Sequence, residues 1–106
     1  MKTYDLYGWT TGDLDVARRV TEETLGLRLK RHESMYRGGD YYRADQEDGE
    51  HLILQLNEEL DEELAEPDLS TYGVLLRVEG TTRAEAIEAR LMNADQPPEL
   101  LRRSRV

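Results

Sequence analysis

The sequence predicts an α+β domain, with two main helices on one face of a mostly antiparallel sheet. Two observations carry that reading. Apolar residues recur at three and four positions in two separate segments. Five further segments alternate or run apolar over a few residues and are bounded by turn pairs. The resulting order is β-α-β-β-β-β-α.

The elements follow along the chain. Thr3-Tyr4-Asp5-Leu6-Tyr7-Gly8-Trp9 alternates, is rich in aromatics and reads as a first strand over 3–9. Leu14, Ala17, Val20, Thr21, Thr24 and Leu25 then mark one helical face, within a helix over 13–25. Asp13 suits its N-cap and Gly26 its left-handed end. Leu27-Arg28-Leu29-Lys30-Arg31-His32 alternates again, giving a strand over 27–32. Gly38-Gly39 predicts a hairpin turn into a strand over 40–44, and Asp48-Gly49 a second turn before a strand over 51–56.

Leu60 and Leu64 allow a short surface helix inside the acidic stretch that follows. Tyr72-Gly73-Val74-Leu75-Leu76-Arg77-Val78-Glu79 is nearly continuous in apolar residues, as a central strand over 73–79 would be. Thr82-Arg83-Ala84-Glu85 fits a capping box, opening a helix over 82–92 that Pro97 and Pro98 lie beyond. One domain over 1–94 is expected, with 95–106 as a flexible C-terminal tail.

Composition bounds the function. The 106 residues carry 23 Asp and Glu against 14 Lys and Arg, a net charge of −9, and no Cys or Phe. Phosphate contacts need cations, so nucleic acid is excluded as a ligand class. Without cysteine there are no disulfides and no thiolate metal sites, which suits a reducing cytoplasm. No apolar run approaches the roughly 18 residues of a membrane span. Met1-Lys2-Thr3-Tyr4-Asp5 has no apolar core of a secretory leader, so none is expected.

The charge is uneven. Between Arg43 and Arg77 there is no Lys or Arg. That gap holds Glu58, Glu59, Asp61, Glu62, Glu63, Glu66 and Asp68, a block able to produce a field of one sign if the fold gathers it on one side. Solvated surface charge is the plainer reading of the same block. Tyr36, Tyr41 and Tyr42 surround one hairpin. Tyrosines are frequent binding anchors, but in a chain without Phe they are equally core aromatics.

Asp13-Leu14-Asp15, Thr24-Leu25-Gly26-Leu27, Gly38-Gly39-Asp40-Tyr41-Tyr42 and Gly49-Glu50-His51-Leu52-Ile53-Leu54 together resemble the βαβββ module of the vicinal oxygen chelate superfamily, which includes glyoxalases and bleomycin-resistance proteins. Gly73-Val74-Leu75-Leu76-Arg77-Val78 with the helix after it is similar to the opening of a second module. The resemblance covers about residues 3–92 and implies one and a half modules. It further implies a dimer whose chains complete each other's cups, as a ligand-sequestering or metal-dependent protein.

The ligand set departs from that pattern. Leu6 stands where a first-strand ligand would, Ser70-Thr71-Tyr72 offers no His or Glu, and His51 with Gln55 makes only two of the three protein ligands of an open catalytic site. No metal, cofactor or catalytic constellation is therefore expected. His51 reads as a strand residue at a sheet edge and His32 as an exposed one. Gly8 and Gly38-Gly39 belong to no phosphate loop.

The sequence thus favours a non-enzymatic, acidic, cytoplasmic binding protein. An immunity or inhibitor protein is its most specific form, meeting a basic partner such as a nuclease toxin domain. Glu58, Glu59, Asp61, Glu62, Glu63, Glu66, Asp68, Tyr36, Tyr41 and Tyr42 are the candidate contacts.

Overall fold

The computed structural model describes residues 1–34, 39–57 and 65–106. Gly38 of the expected hairpin turn and the Leu60–Leu64 helical spacing lie outside these residues. The described elements run β1 (Thr3–Trp9), α1 (Leu14–Leu25), β2 (Lys30–Ser34), β3 (Gly39–Asp45), β4 (His51–Leu56), a 3₁₀ turn (Pro67–Leu69), β5 (Val74–Thr81), α2 (Ala84–Met92) and β6 (Glu99–Arg105). The fold class is α+β, as the periodicities predict.

All strands join one sheet in the order β2-β3-β4-β5-β1-β6, with antiparallel neighbours throughout. Taken without the β2–β3 hairpin, β1-α1-β4-β5-α2-β6 has the connectivity of a split βαβ fold. The hairpin extends the sheet beyond β4. The segments assigned by resemblance to a second module, β5 and α2, share this sheet with β1–β4, and β5 lies between β4 and β1.

Alternation gives the sheet two faces. Tyr7, Trp9, Leu52, Leu54, Val74, Leu76 and Val78 form one core cluster with Ala17, Val20 and Leu25 of α1 and Ile87 and Leu91 of α2. Both helices therefore cover the same face. On the opposite face Leu6, Ile53, Gln55 and Leu75 are also buried, so β4 and β5 need apolar residues on both sides. That explains the continuous run in β5.

The first helix forms as its sequence demands. The Asp13 carboxylate accepts from the backbone N–H groups of Asp15 at 3.0 Å and Val16 at 3.2 Å. Gly26 ends the helix at φ +65°, where a side chain would be strained. β2 begins later than alternation predicts, because the preceding donors are spent on this helix end. Leu27 N–H donates to the Glu22 carbonyl at 3.2 Å and Leu29 N–H to the Glu22 carboxylate at 2.8 Å. The sheet ladder can start only at Lys30.

Two expectations are overturned. The Thr82–Glu85 capping box does not form, since α2 starts at Ala84 after Arg83 and has no side-chain cap. Thr81 Oγ1 instead accepts from Arg83 N–H, and the Glu85 carboxylate is taken by Arg105 at 2.6 Å. The expected flexible tail is strand β6, paired with β1 over Thr3↔Arg105 to Gly8↔Glu99. Its arginines hold it. Arg103 donates twice to Asp5, at 2.8 and 2.9 Å, and once to Glu88 of α2 at 3.0 Å. The Asp5 side chain has no exposed surface. Burial, with the charges of Asp5 and Glu88 adding, pushes the neighbouring Tyr7 phenol well above its ordinary 10.

Because a buried carboxylate without its cation is costly, Arg103→Met should destabilise the protein by about 3 kcal/mol or more in urea unfolding. Adding Asp5→Asn should recover part of that loss. Equal stability of wild type and the single variant would show that β6 is not held by this pair.

Candidate functional site

The described parts of the acidic block are organised at its stem. Asn57, which follows β4, is 2% exposed and tied on all sides. Its Nδ2 donates to the carbonyls of Tyr72 at 3.0 Å, Leu69 at 3.1 Å and Glu66 at 3.4 Å, and its Oδ1 accepts from Glu66 N–H at 2.8 Å. Asn57 N–H also donates to the Gly73 carbonyl, and Gly73 N–H to that of Trp9, each at 2.9 Å. An amide side chain suits this position because it both donates and accepts. The two ends of the 58–65 stretch are thereby bonded to one another and to the end of β1.

Glu66 locks the stem to the sheet. Its carboxylate accepts from Arg77 of β5 at 3.0 Å and Arg102 of β6 at 2.6 Å. Burial raises its pKa, but the hydrogen bonds from Arg102 and Arg77 outweigh that and leave it below the ordinary 4.5. Glu66 is thus a structural anchor, with an internal role its sequence did not reveal. Asp68 is exposed in the 3₁₀ turn. Glu58, Glu59, Asp61, Glu62, Glu63 and Tyr36 lie outside the described residues.

Tyr41 and Tyr42 do not form a joint anchor, since adjacent strand residues face opposite ways. Tyr42 packs against the core, with the Arg18 guanidinium 4.9 Å over its ring. Tyr41 stacks on His32 with centroids 5.3 Å apart. His32 is accordingly half-buried rather than exposed.

His51 opens β4, an interior strand rather than a sheet edge. Its Nδ1 is 2.5 Å from Asp45 Oδ1, which also accepts from Arg43 at 2.8 Å. Those hydrogen bonds, from His51 first and then Arg43, hold the Asp45 carboxyl below its ordinary range. Gln55 is buried further along the same strand face. No group of three potential metal ligands occurs among the described residues.

Most described arginines are neutralised internally. Arg31 pairs with Asp40, Arg43 with Asp45, Arg83 with Glu50, and Arg105 with Glu85. Arg77 and Arg102 share Glu66, and Arg103 holds Asp5 and Glu88. Glu23, Glu47, Asp68, Glu79 and Asp95 have no ion-pair partner among the described residues. The excess negative charge of the described residues is left to such groups.

A small cavity of about 220 Å³ opens at the same end of the sheet, between Trp9, Thr10, Tyr72, Pro97 and Glu99. Gly8 makes it possible. A Cβ there would stand 2.7 Å from Leu101 Cδ1 and 2.9 Å from Tyr72 Cδ1, so only glycine admits the Tyr72 ring against β1. The Tyr72 hydroxyl donates to Glu99, and Trp9 Nε1 to the Gln96 carbonyl at 2.8 Å. Sequence reasoning missed this wall because Glu99 was assigned to a tail.

No family model, curated protein or solved structure matches the chain. No described helix is long and apolar enough to cross a membrane.

Asn57→Ala removes the side-chain hydrogen bonds of the stem and leaves the Glu66 N–H without its acceptor. It should cost about 2–3 kcal/mol and speed amide exchange at Glu66. Unchanged exchange there would show that the stem is held otherwise.

The pH dependence has a defined sign. At Glu50 burial raises the pKa, but hydrogen bonds from Arg83 and Thr81 prevail and lower it below 4.5. Glu66 is lowered likewise. A carboxyl lowered on folding stabilises above its unfolded pKa, and that stability is lost as pH falls through the folded value. Urea stability should therefore fall below about pH 4.5. Glu50→Gln should be about 2 kcal/mol less stable at pH 7 and show a shallower acid slope. An identical slope in the two proteins would exclude Glu50 as a contributor.

Proposed function

We infer that this is a non-enzymatic binding protein of the cytoplasm that neutralises a basic protein partner, as an immunity protein does to a nuclease toxin domain. The observation that carries the reading is the tied stem. Asn57 and Glu66 join the two ends of a stretch whose sequence contains Glu58, Glu59, Asp61, Glu62 and Glu63. Tying the two ends of a binding segment lowers the ordering cost of binding through it.

Charge supports the same reading. Most described arginines are paired internally, and every charged residue in the sequence of the tied stretch is an acid. Such acids accelerate encounter with a cationic surface and disfavour acidic wrong partners. A nuclease active site is a suitable target because it must be positive to hold its substrate.

The test is a salt series of association rates against a candidate nuclease domain. Replacing Glu59, Asp61, Glu62 and Glu63 with Gln or Asn should slow association by about tenfold at low salt and flatten its salt dependence. Dissociation should change much less. Matching association rates at every ionic strength would leave the stretch as solvated surface charge and remove the main support for an inhibitor.

A further inference from the structure

The cavity beside the stem has the composition of a cation receptor. Tyr72 and Pro97 give it an aromatic and an apolar wall, and Glu99 gives it a carboxylate. Among the described residues that line it there is no Lys or Arg. Trp9 borders the cavity from the core, 4% exposed, and its N–H is already satisfied by Gln96, so the indole offers no donor there. The Tyr72 hydroxyl donates to Glu99 Oε2, which fixes the carboxylate against the phenol ring. Glu99 Oε1 has no hydrogen-bond partner among the described residues.

We propose that this cavity receives an arginine side chain of the basic partner, its guanidinium set against the aromatic wall and paired with Glu99. The proposal rests on the reading of the partner as basic and names one contact within it. Arginine suits the cavity better than lysine, because a planar, weakly hydrated guanidinium both stacks on an aromatic face and donates to a carboxylate. The cavity lies where such a contact is useful. Asn57 donates to the Tyr72 carbonyl, and the chain of backbone bonds Asn57–Gly73–Trp9 joins the acidic stem to the cavity wall. Carboxylates on the tied stretch would draw a cationic surface in, and the cavity would hold one side chain of it. The aromatic anchor expected from Tyr36, Tyr41 and Tyr42 is thus assigned to Tyr72.

The chain has a single tryptophan, and Trp9 borders this cavity from the core, so its fluorescence serves as the readout. The probe is doubly blocked arginine, Nα-acetyl-arginine methylamide, titrated at constant ionic strength. The control is blocked citrulline, which keeps the shape and lacks the charge. Blocked arginine should give a saturable change with a dissociation constant on the order of millimolar, as expected for one side chain. Citrulline should give none.

Glu99→Gln, an exposed substitution, should weaken the arginine response by about tenfold without altering the free protein's spectrum or melting. The variant lacking charge at Glu59, Asp61, Glu62 and Glu63 should keep the full response. A non-saturable response, an equal response to citrulline, or an undiminished response in Glu99→Gln would overturn the proposal. So would loss in the acidic variant alone, which would place the guanidinium on the stretch and leave the function reading standing. If the partner is not basic, the salt series fails while this titration is unaffected.

Discussion

A carboxylate with no exposed surface must be met by a cation, and Asp5 is met by Arg103. Asp5 sits on the helix-facing side of β1, and Arg103 reaches it from β6 while also holding Glu88 of α2. The ion pair therefore fixes three elements at once. β6 must lie beside β1, and α2 must lie over both. Leaving Asp5 unpaired would cost several kcal/mol, a large part of the stability of a domain this size.

Once β6 is held there, its other residues fall into place by alternation and register. Arg102 faces away from the helices and reaches Glu66, which closes the acidic stem against β5. Arg105 takes Glu85 at the start of α2, which replaces the local capping box with a charge-assisted bond from another element. Glu99, at the other end of the strand and opposite Gly8, completes the wall of the cavity beside Tyr72. One terminal strand thus links the buried core, the second helix, the stem and the cavity. The proposed binding surface and the most buried charge of the fold depend on the same seven residues.

The same arrangement explains how an acidic protein can contain many arginines and still present a negative field. Most of its described arginines are directed onto carboxylates held by other parts of the fold. Glu66 and Glu50 show the other side of this. Each is desolvated, and each stays ionised because arginines donate to it. Counting charges along the chain treats all acids alike, whereas the fold divides them into structural anchors and groups left to solvent.

What the sequence determined by itself is local. Asp13 and Gly26 delimit α1 because their side chains, or the lack of one, answer the unpaired groups at the helix ends. Apolar periodicity separated helices from strands in the first 92 residues, since alternation at two and recurrence at three and four follow directly from backbone geometry. Only the tertiary structure decided the rest. Glu99 to Arg105 has too few apolar residues to read as a strand, because charge pairing across elements, and not burial of its own side chains, holds it. Glu66 could be told from its acidic neighbours only once Arg77 and Arg102 were seen to converge on it. Tyr42 packs on the core for the same reason: which face a tyrosine occupies is set by strand pairing, and pairing joins residues far apart in the chain.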